Sequence, residues 1–154
     1  MKRTNLKRKK VVVKKLPRET PVKRPRNRVK APPRRSVTSL KKTLWGHFTA
    51  YVKKRDKYTC VTCGKLTEGR NSHGGHYIAK GACTLEYYFH EKNVHCQCSS
   101  CNLRLEGNRP AYRAFILRTY GQATLTDLET NYNKTFQGDP YMWLIDKINY
   151  YKNL

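Results

Sequence analysis

Residues 93–102 read NVHCQCSSCN and contain the second of two short cysteine pairs in the chain. The pairs are Cys60-Val-Thr-Cys63 and Cys98-Ser-Ser-Cys101. Two residues between cysteines let a tight turn aim both sulfurs at one point, and two such pairs complete a tetrahedral zinc site. The spacing therefore predicts a zinc ion bound by Cys60, Cys63, Cys98 and Cys101.

A site closed by four thiolates has no open position for water or substrate, so we expect this zinc to be structural. The chain between the pairs is poor in Leu, Ile and Val, and needs a metal to fold. Two further cysteines, Cys83 and Cys96, read as small buried hydrophobic residues.

The net charge is +23 and the sequence pI is about 10.1. Such a charge favours a polyanionic partner, with nucleic acid the first candidate and an anionic membrane surface the alternative. Residues 1–35 hold sixteen Lys and Arg against one acidic residue, Glu19. With five prolines and no aromatic residue, residues 1–36 are predicted to be a disordered basic tail that neutralises phosphates.

No apolar run approaches the roughly 18–20 residues needed to cross a bilayer, and no signal peptide is visible. We therefore expect a cytosolic protein that does not span a membrane. Thiols stay reduced there, which favours metal binding over disulfides.

Beyond the tail, the spacing of apolar residues and the positions of capping, glycine and proline residues predict an α+β protein with a small zinc-bound core flanked by α-helices. Within the core, Tyr77-Ile78 and Tyr87-Tyr88-Phe89 are the strand candidates, and Gly74-Gly75 reads as a sharp turn. Ser39 is the candidate cap of the first helix. The predicted segments are an N-terminal helix over 37–57, the zinc core over 58–108 and a helical region over 109–154, with helices after Pro110, over 124–132 and after Asp139-Pro140.

His76 is the sharpest candidate for chemistry, because a neutral imidazole can take a proton from water near working pH. Its context is ordered: Gly75-His76, then Asn93-Val94, then the last cysteine pair and Asn102. This order resembles the HNH nuclease motif, the zinc-bearing form of the ββα-metal fold. The wider pattern, with GHYI at 75–78, NVHCQCSSCN at 93–102, and then Gly107-Asn108, Tyr112 and Tyr120-Gly121, is similar to the phage NinG family, also called Rap, of recombination proteins.

The resemblance implies a structure-selective endonuclease that cuts branched recombination intermediates such as Holliday junctions. It implies that His76 is the general base and that Asn93 braces the site by hydrogen bonding to backbone. Asn102 would place an amide oxygen on a catalytic Mg²⁺ or Mn²⁺. Cleavage would leave 5′-phosphate and 3′-hydroxyl ends.

One position departs from the resemblance. HNH motifs place an acidic metal ligand directly before the base, where this chain has Gly75. NinG-like sequences often have an acidic residue three positions before the base, where this chain has His73. Histidine suits transition ions better than Mg²⁺. Either His73 serves as a ligand, or Glu91 or Glu68 supplies the charge, or the site is weakened.

Basic residues close in sequence to these positions are candidates for gripping phosphates, although for each a solvated surface position is the plainer interpretation. His95 could face the site or pack beside the zinc. The candidate nucleic-acid contacts are Lys53, Lys54, Arg55, Lys80, Arg104 and Arg109.

Two other functions stay open. The first is a zinc-stabilised DNA-binding accessory protein that does not cleave DNA, which would account for the missing acidic residue at Gly75. The second is a ribosomal or other RNA-binding protein, which would account for the charge and the zinc site but not for Gly75-His76 and Asn93. The expected partners are DNA, with branched or junction DNA foremost, and phage or host recombination proteins. A homodimer would suit a two-fold symmetric junction.

Overall fold

A computed structural model describes residues 35–154, and nearly all of the predicted basic tail lies outside these residues. The described part is mixed: α-helices accompany one small antiparallel sheet, which confirms the α+β class. Its elements, in chain order, are α1 (Val37–Arg55), a 3₁₀ turn (Gly69–Asn71), β1 (Ser72–His76), α2 (Leu85–Tyr88), β2 (Val94–Cys98), a π-helical turn (Ser100–Arg104), α3 (Arg109–Asn131) and α4 (Pro140–Lys152).

The N-cap of helix α1 lies about one turn before the predicted cap, Ser39. Ser36 is the N-cap, and its hydroxyl oxygen accepts a hydrogen bond from the backbone N–H of Ser39 at 3.1 Å. The prediction of Ser39 as the cap was therefore wrong, because Ser36 satisfies the same free N–H groups one turn earlier. The helix ends at Arg55, shortly before the end predicted at 57, with three basic residues in its last turn.

The first hydrophobic core joins α1 to α4. The stripe Leu40, Leu44, Phe48 and Val52 recurs every four residues, which places it on one face of α1, and each member is buried. The opposing face of α4 contributes Leu144, Ile148 and Tyr151, and Phe89 and Val94 complete this core.

A second core lies under α3. It is built from Tyr112, Ile116, Leu125 and Leu128 of α3 and from the residues that follow β1, Tyr77 and Ile78. Helix α3 is broken at Gly121, whose φ of 81° and ψ of 172° are not helical. This break divides α3 where the sequence predicted one helix to end and another to follow.

The sheet pairs β1 with β2 in antiparallel register, with His73 opposite Gln97, Gly75 opposite His95 and His76 opposite Val94. Both strand predictions were wrong. Tyr77-Ile78 follows β1 directly, and Tyr87-Tyr88-Phe89 forms the end of α2. Short apolar runs do not distinguish strand from helix, because so few residues carry too little periodicity.

Gly74-Gly75 was also misread, since both glycines lie inside β1 rather than in a turn. The reason is close packing on both faces of the strand. A Cβ on Gly74 would lie 2.7 Å from Cγ2 of Thr49 in α1. A Cβ on Gly75 would overlap the side-chain amide of Gln97, with its Cδ at 2.7 Å. Glycine is used here because other side chains approach the strand backbone too closely for any Cβ.

Within residues 35–154, no helix is both long enough and apolar enough to cross a bilayer.

Candidate active site beside a four-cysteine cluster

Four cysteine sulfurs converge between the two short turns predicted from the sequence. The Sγ atoms of Cys60, Cys63, Cys98 and Cys101 all lie within 4.8 Å of one another. The first turn closes through the backbone N–H of Gly64, which donates to the carbonyl of Cys60 at 2.8 Å. Gly64 has a φ of 73°, in the left-handed region that glycine occupies without strain.

The cluster fits a tetrahedral metal ion. Sulfurs placed about 2.3 Å from a central zinc at tetrahedral corners are about 3.8 Å apart, and Cys63 Sγ lies 3.8 Å from Cys98 Sγ. Burial opposes ionisation of Cys60, but hydrogen bonds from Thr62 and from the backbone lower its pKa, whereas burial and the neighbouring cysteines raise the pKa of Cys63 to about 12. The four sulfurs share charge, so a bound cation would be needed to keep all of them as thiolates. The thiolate is the metal-binding form. These four residues could therefore hold a metal ion such as zinc.

A cavity of about 290 Å³ opens next to the cluster, at the end of β1. His76 and Asn102 both line it, so the fold brings together the predicted general base and the predicted amide ligand. Lys80 lines it as well. The remaining wall residues are Trp45, Gly74, Ala79, Tyr88, Leu103, Glu106 and Gly107.

His76 is held in one orientation by aromatic packing and one hydrogen bond. Its ring stacks on the indole of Trp45, with centroids 5.0 Å apart and planes 10° apart. Its Nε2 lies 2.9 Å from the carbonyl oxygen of Tyr88. A carbonyl can only accept, so Nε2 carries the proton and Nδ1 keeps the basic lone pair. Burial, with a smaller contribution from the charge of Lys80, lowers the pKa of His76 to about 4, so the ring is neutral at neutral pH.

Asn93 is fully buried and its side chain bonds only to backbone partners and to one thiol. Its Oδ1 accepts from the N–H of Ile78 at 2.7 Å, and its Nδ2 donates to the carbonyl of Tyr87 at 2.8 Å. These bonds tie the residues after β1 to the end of α2. Since Tyr88 is the partner of His76, Asn93 holds the segment that orients the imidazole.

Gln97 fills the space beside Gly75. Its Nε2 donates to the carbonyl of Gly107 at 2.8 Å and to the hydroxyl of Thr62 at 3.2 Å. This fixes the amide orientation, because a reversed amide would set Oε1 against the Gly107 carbonyl. The buried Oε1 has no hydrogen-bond partner among the described residues. It lies next to the point where a Gly75 Cβ would be, and Oδ1 of Asn102 is 3.0 Å from the same point.

The other predicted metal ligands lie elsewhere. His73 and His76 are three residues apart in β1 and so project to opposite faces; His73 Nε2 lies 2.9 Å from the Ser99 hydroxyl. Glu91 accepts hydrogen bonds from the hydroxyls of Tyr51 and Tyr151 at 2.9 and 2.8 Å. Glu68 lies on a separate surface with Leu66 and Tyr58, among others. The structure does not bring these three residues into the cavity.

His95 neither faces the cavity nor belongs to the cysteine cluster. It is fully buried, with Nδ1 2.9 Å from the hydroxyl of Tyr112 and Nε2 2.9 Å from that of Tyr120. Burial lowers the pKa of His95 to about 2. Tyr112 in turn donates to the carbonyl of Gly75 at 2.9 Å. This chain of hydrogen bonds positions the backbone that precedes His76.

The predicted phosphate contacts divide into two groups. Arg55 is engaged within the fold: it forms an ion pair with Asp56 at 2.8 Å and donates to the carbonyls of Glu91 and Val94. Lys54 donates to the carbonyl of Leu154 at 3.1 Å. Lys53 is half-buried near the end of α1. Lys54 is nevertheless exposed, as are Lys80 at the cavity, Arg104, and Arg109, whose guanidinium lies over the Tyr77 ring.

The geometry defines an α+β protein whose four-cysteine cluster could hold a metal such as zinc and whose adjacent cavity contains a histidine and an amide. A family profile described as "Bacteriophage Lambda NinG protein" matches residues 1–150. The chain therefore belongs to the NinG family of phage proteins, as its motifs predicted.

Individual relatives agree with this membership. The chain is 31% identical over 99 residues to Protein ninG of Escherichia phage lambda, an alignment covering 64% of this chain and 45% of the relative. It is 34% identical over 86 residues to Protein ninG of Escherichia phage 933W, covering 55% and 42%. For Protein ninG of Salmonella phage P22 the identity is 31%, covering 55% and 41%. The matched segment thus spans less than half of these relatives, and no solved structure matches the chain.

Sequence reasoning missed three residues of the cavity region: Glu106, Gln97 and Trp45. Glu106 follows Asn102 by four residues, but its left-handed backbone places it in the turn after the π-helical segment, so helical spacing does not account for its position. No sequence signal marked Gln97 or Trp45 either, because their contacts with Gly75 and His76 cross between separate elements.

Proposed function

We propose that this protein is a metal-dependent, HNH-type endonuclease that nicks branched DNA during phage recombination. The observation that carries the proposal is the state of His76: its Nε2–H is committed to Tyr88, and its Nδ1 is left basic in a cavity that Asn102 also lines. A neutral imidazole held rigidly in this way is suited to act as a general base.

Each residue would contribute a defined step. His76 Nδ1 takes a proton from the attacking water, and stacking on Trp45 keeps the ring aimed. Asn93 keeps the Tyr88 carbonyl in place through its bonds to the neighbouring backbone. Lys80 at the cavity provides a positive charge for a DNA phosphate.

The donor set also fits a hard divalent cation. Asn102 would supply an amide oxygen, a ligand type that Mg²⁺ and Mn²⁺ accept, and the unpaired Oε1 of Gln97 lies close to it. A cation bound there would polarise the phosphoryl oxygen and stabilise charge on the leaving 3′-oxygen. At the cysteine cluster we propose a structural zinc, because four thiolates close its coordination.

The proposed partner is DNA, supported by the net charge of +23. We further propose that the protein acts in the cytoplasm of the bacterial host at the nucleoid, with phage or host recombination proteins. A homodimer would match the two-fold symmetry of a four-way junction.

The test is cleavage by the purified full chain. Zinc-loaded protein is incubated with a synthetic four-way junction, a flap and a linear duplex of matched sequence, with Mn²⁺, Mg²⁺ or EDTA. We expect nicks in the branched substrates that require the divalent ion and leave 5′-phosphate ends. Tight binding of all three DNAs without nicking would instead support a second function, a zinc-stabilised DNA-binding accessory protein. The absence of an acidic residue at Gly75 favours that second function.

A further inference from the structure

The cavity contains a carboxylate that the HNH resemblance does not assign. Glu106 lines the same cavity as His76 and Asn102, and it is the one acidic residue among the wall residues. Its side chain is exposed and makes no hydrogen bond or ion pair with any residue of 35–154. A free carboxylate therefore belongs to the wall of the cavity that the base and the amide also line.

Position 75 cannot hold the carboxylate that an HNH motif would place there. Gln97 and Asn102 already occupy the volume beside Gly75, and Gln97 is locked by its bonds to Gly107 and Thr62. An aspartate at 75 would have to displace the Gln97 amide. The acidic ligand must then come from another element.

Glu106 is held in place by its neighbours in the chain. The N–H of Gly107 donates to the carbonyl of Cys101 at 2.9 Å, and the carbonyl of Gly107 accepts from Gln97. The backbone of Glu106 itself has a φ of 48°, in the left-handed region that disfavours residues with a Cβ. The turn that carries Glu106 is thus anchored both to the cysteine cluster and to Gln97.

An unpaired oxygen gives the second, independent indication of a cation. Gln97 Oε1 is buried and has no donor among the described residues, and Asn102 Oδ1 lies near the same point. A buried acceptor without a partner is unfavourable, and a bound cation would satisfy it. Carboxylate and amide oxygens are the ligands that Mg²⁺ and Mn²⁺ prefer.

We propose that Glu106 is the acidic ligand of the divalent cation, forming a site with Asn102, whose Oδ1 lies near the unpaired oxygen of Gln97. This inference rests on the proposed endonuclease function. In this arrangement the acidic ligand comes from the turn after the last cysteine pair, whereas HNH motifs place it directly before the base.

The test measures cation binding directly. Zinc-loaded full-length protein is titrated with Mn²⁺, and free Mn²⁺ is followed by its electron paramagnetic resonance signal. We expect one Mn²⁺ site beyond the zinc, weakened at least about tenfold in Glu106→Gln, since loss of even a residue that only hydrogen-bonds to a metal ligand typically lowers metal affinity about 10–100-fold. The matched control is Glu86→Gln, which removes an exposed carboxylate in α2 outside this cavity. Zinc content and circular dichroism show that each variant is folded.

Nicking of the four-way junction, measured on the same samples, separates this inference from the proposed function. One outcome is that the wild type nicks the junction and that Glu106→Gln matches it in both Mn²⁺ affinity and nicking. That outcome would overturn the role of Glu106 but would leave the proposed endonuclease function intact. Loss of Mn²⁺ affinity in Glu106→Gln, in a protein whose wild type cuts no DNA, would support the cation site and refute the endonuclease.

Discussion

The Nε2 of His76 donates a hydrogen bond to the carbonyl oxygen of Tyr88 across 2.9 Å. This one contact links the last residue of β1 to the end of α2 and selects the tautomer of the imidazole. Because the carbonyl accepts the proton of Nε2, the lone pair is on Nδ1. Asn93, buried behind this loop, bonds to the adjacent carbonyl of Tyr87 and keeps the acceptor in position.

The first prediction concerns the base. Replacing His76 with alanine removes the proton acceptor, so junction nicking should fall by about 10²–10⁴-fold. Junction affinity, measured by fluorescence anisotropy, should change little because the phosphate contacts remain. His47→Ala is the matched control, a histidine in α1 outside the cavity. Comparable nicking by His76→Ala and wild type would remove His76 from the mechanism.

The second prediction concerns pH. Burial lowers the pKa of His76 to about 4, and the charge of Lys80 acts in the same direction. The imidazole therefore stays unprotonated as pH falls, and kcat/KM for nicking should be nearly flat between about pH 7.5 and 5.5. A base with the ordinary pKa of about 6.5 would lose roughly tenfold over that range. A tenfold loss in a pH–rate profile would show that His76 is not desolvated in the working enzyme.

The same burial has a consequence for stability. Between about pH 6.5 and 4 the unfolded chain protonates this histidine while the folded chain does not, so stability is lost as pH falls through that range.

The third prediction concerns the cysteine cluster. Cys98→Ser removes one of the four sulfurs that lie within 4.8 Å of one another, and should abolish stoichiometric zinc binding. Because the segment between the pairs has few apolar residues, far-ultraviolet circular dichroism should show lost structure. Cys83→Ser is the matched control, since Cys83 lies outside the cluster. Zinc content by atomic emission equal to wild type in Cys98→Ser would contradict a four-cysteine zinc site.

The fourth prediction concerns the crowded glycine of β1. Gly75→Ala puts a methyl group into the Gln97 amide and should destabilise the fold by about 1–3 kcal/mol, a typical effect of overpacking. Gly46→Ala offers the opposite control. Gly46 is exposed in α1 with no atom within 4 Å of its added Cβ, and alanine should stabilise the helix by about 0.5–1 kcal/mol. Urea unfolding of the zinc-loaded proteins measures both changes. A midpoint for Gly75→Ala equal to that of the wild type would mean that Gln97 moves aside freely.

The fifth prediction concerns the basic segment before α1. Deleting residues 1–34 keeps the Ser36 cap but removes fifteen Lys and Arg. Affinity for linear and branched DNA should fall together, and the slope of log affinity against log salt should become shallower, because fewer counterions are released. An unchanged slope would show that the segment does not contact phosphates.

Sequence reasoning succeeded where short spacing decides the outcome. Two CxxC pairs predicted the sulfur cluster, since two intervening residues suffice to aim neighbouring thiols at one point. Apolar spacing predicted a helix over most of the span of α1, and Asp139-Pro140 predicted the start of α4. The ordered motif also placed His76 and Asn102 in one functional region, and the fold puts both on the wall of one cavity.

Tertiary structure alone decided the rest. Gly74-Gly75 lies in a strand because Thr49 and Gln97 press on its two faces, and both neighbours come from distant parts of the sequence. His95, which the sequence left between two roles, is enclosed by Tyr112 and Tyr120. The carboxylate that lines the cavity of the candidate base is Glu106 rather than Glu68 or Glu91, because the turn after the π-helical segment returns to the end of β1. Local spacing constrains only residues within a turn or two of one another, whereas the volume left beside a strand depends on which distant side chains the core brings against it.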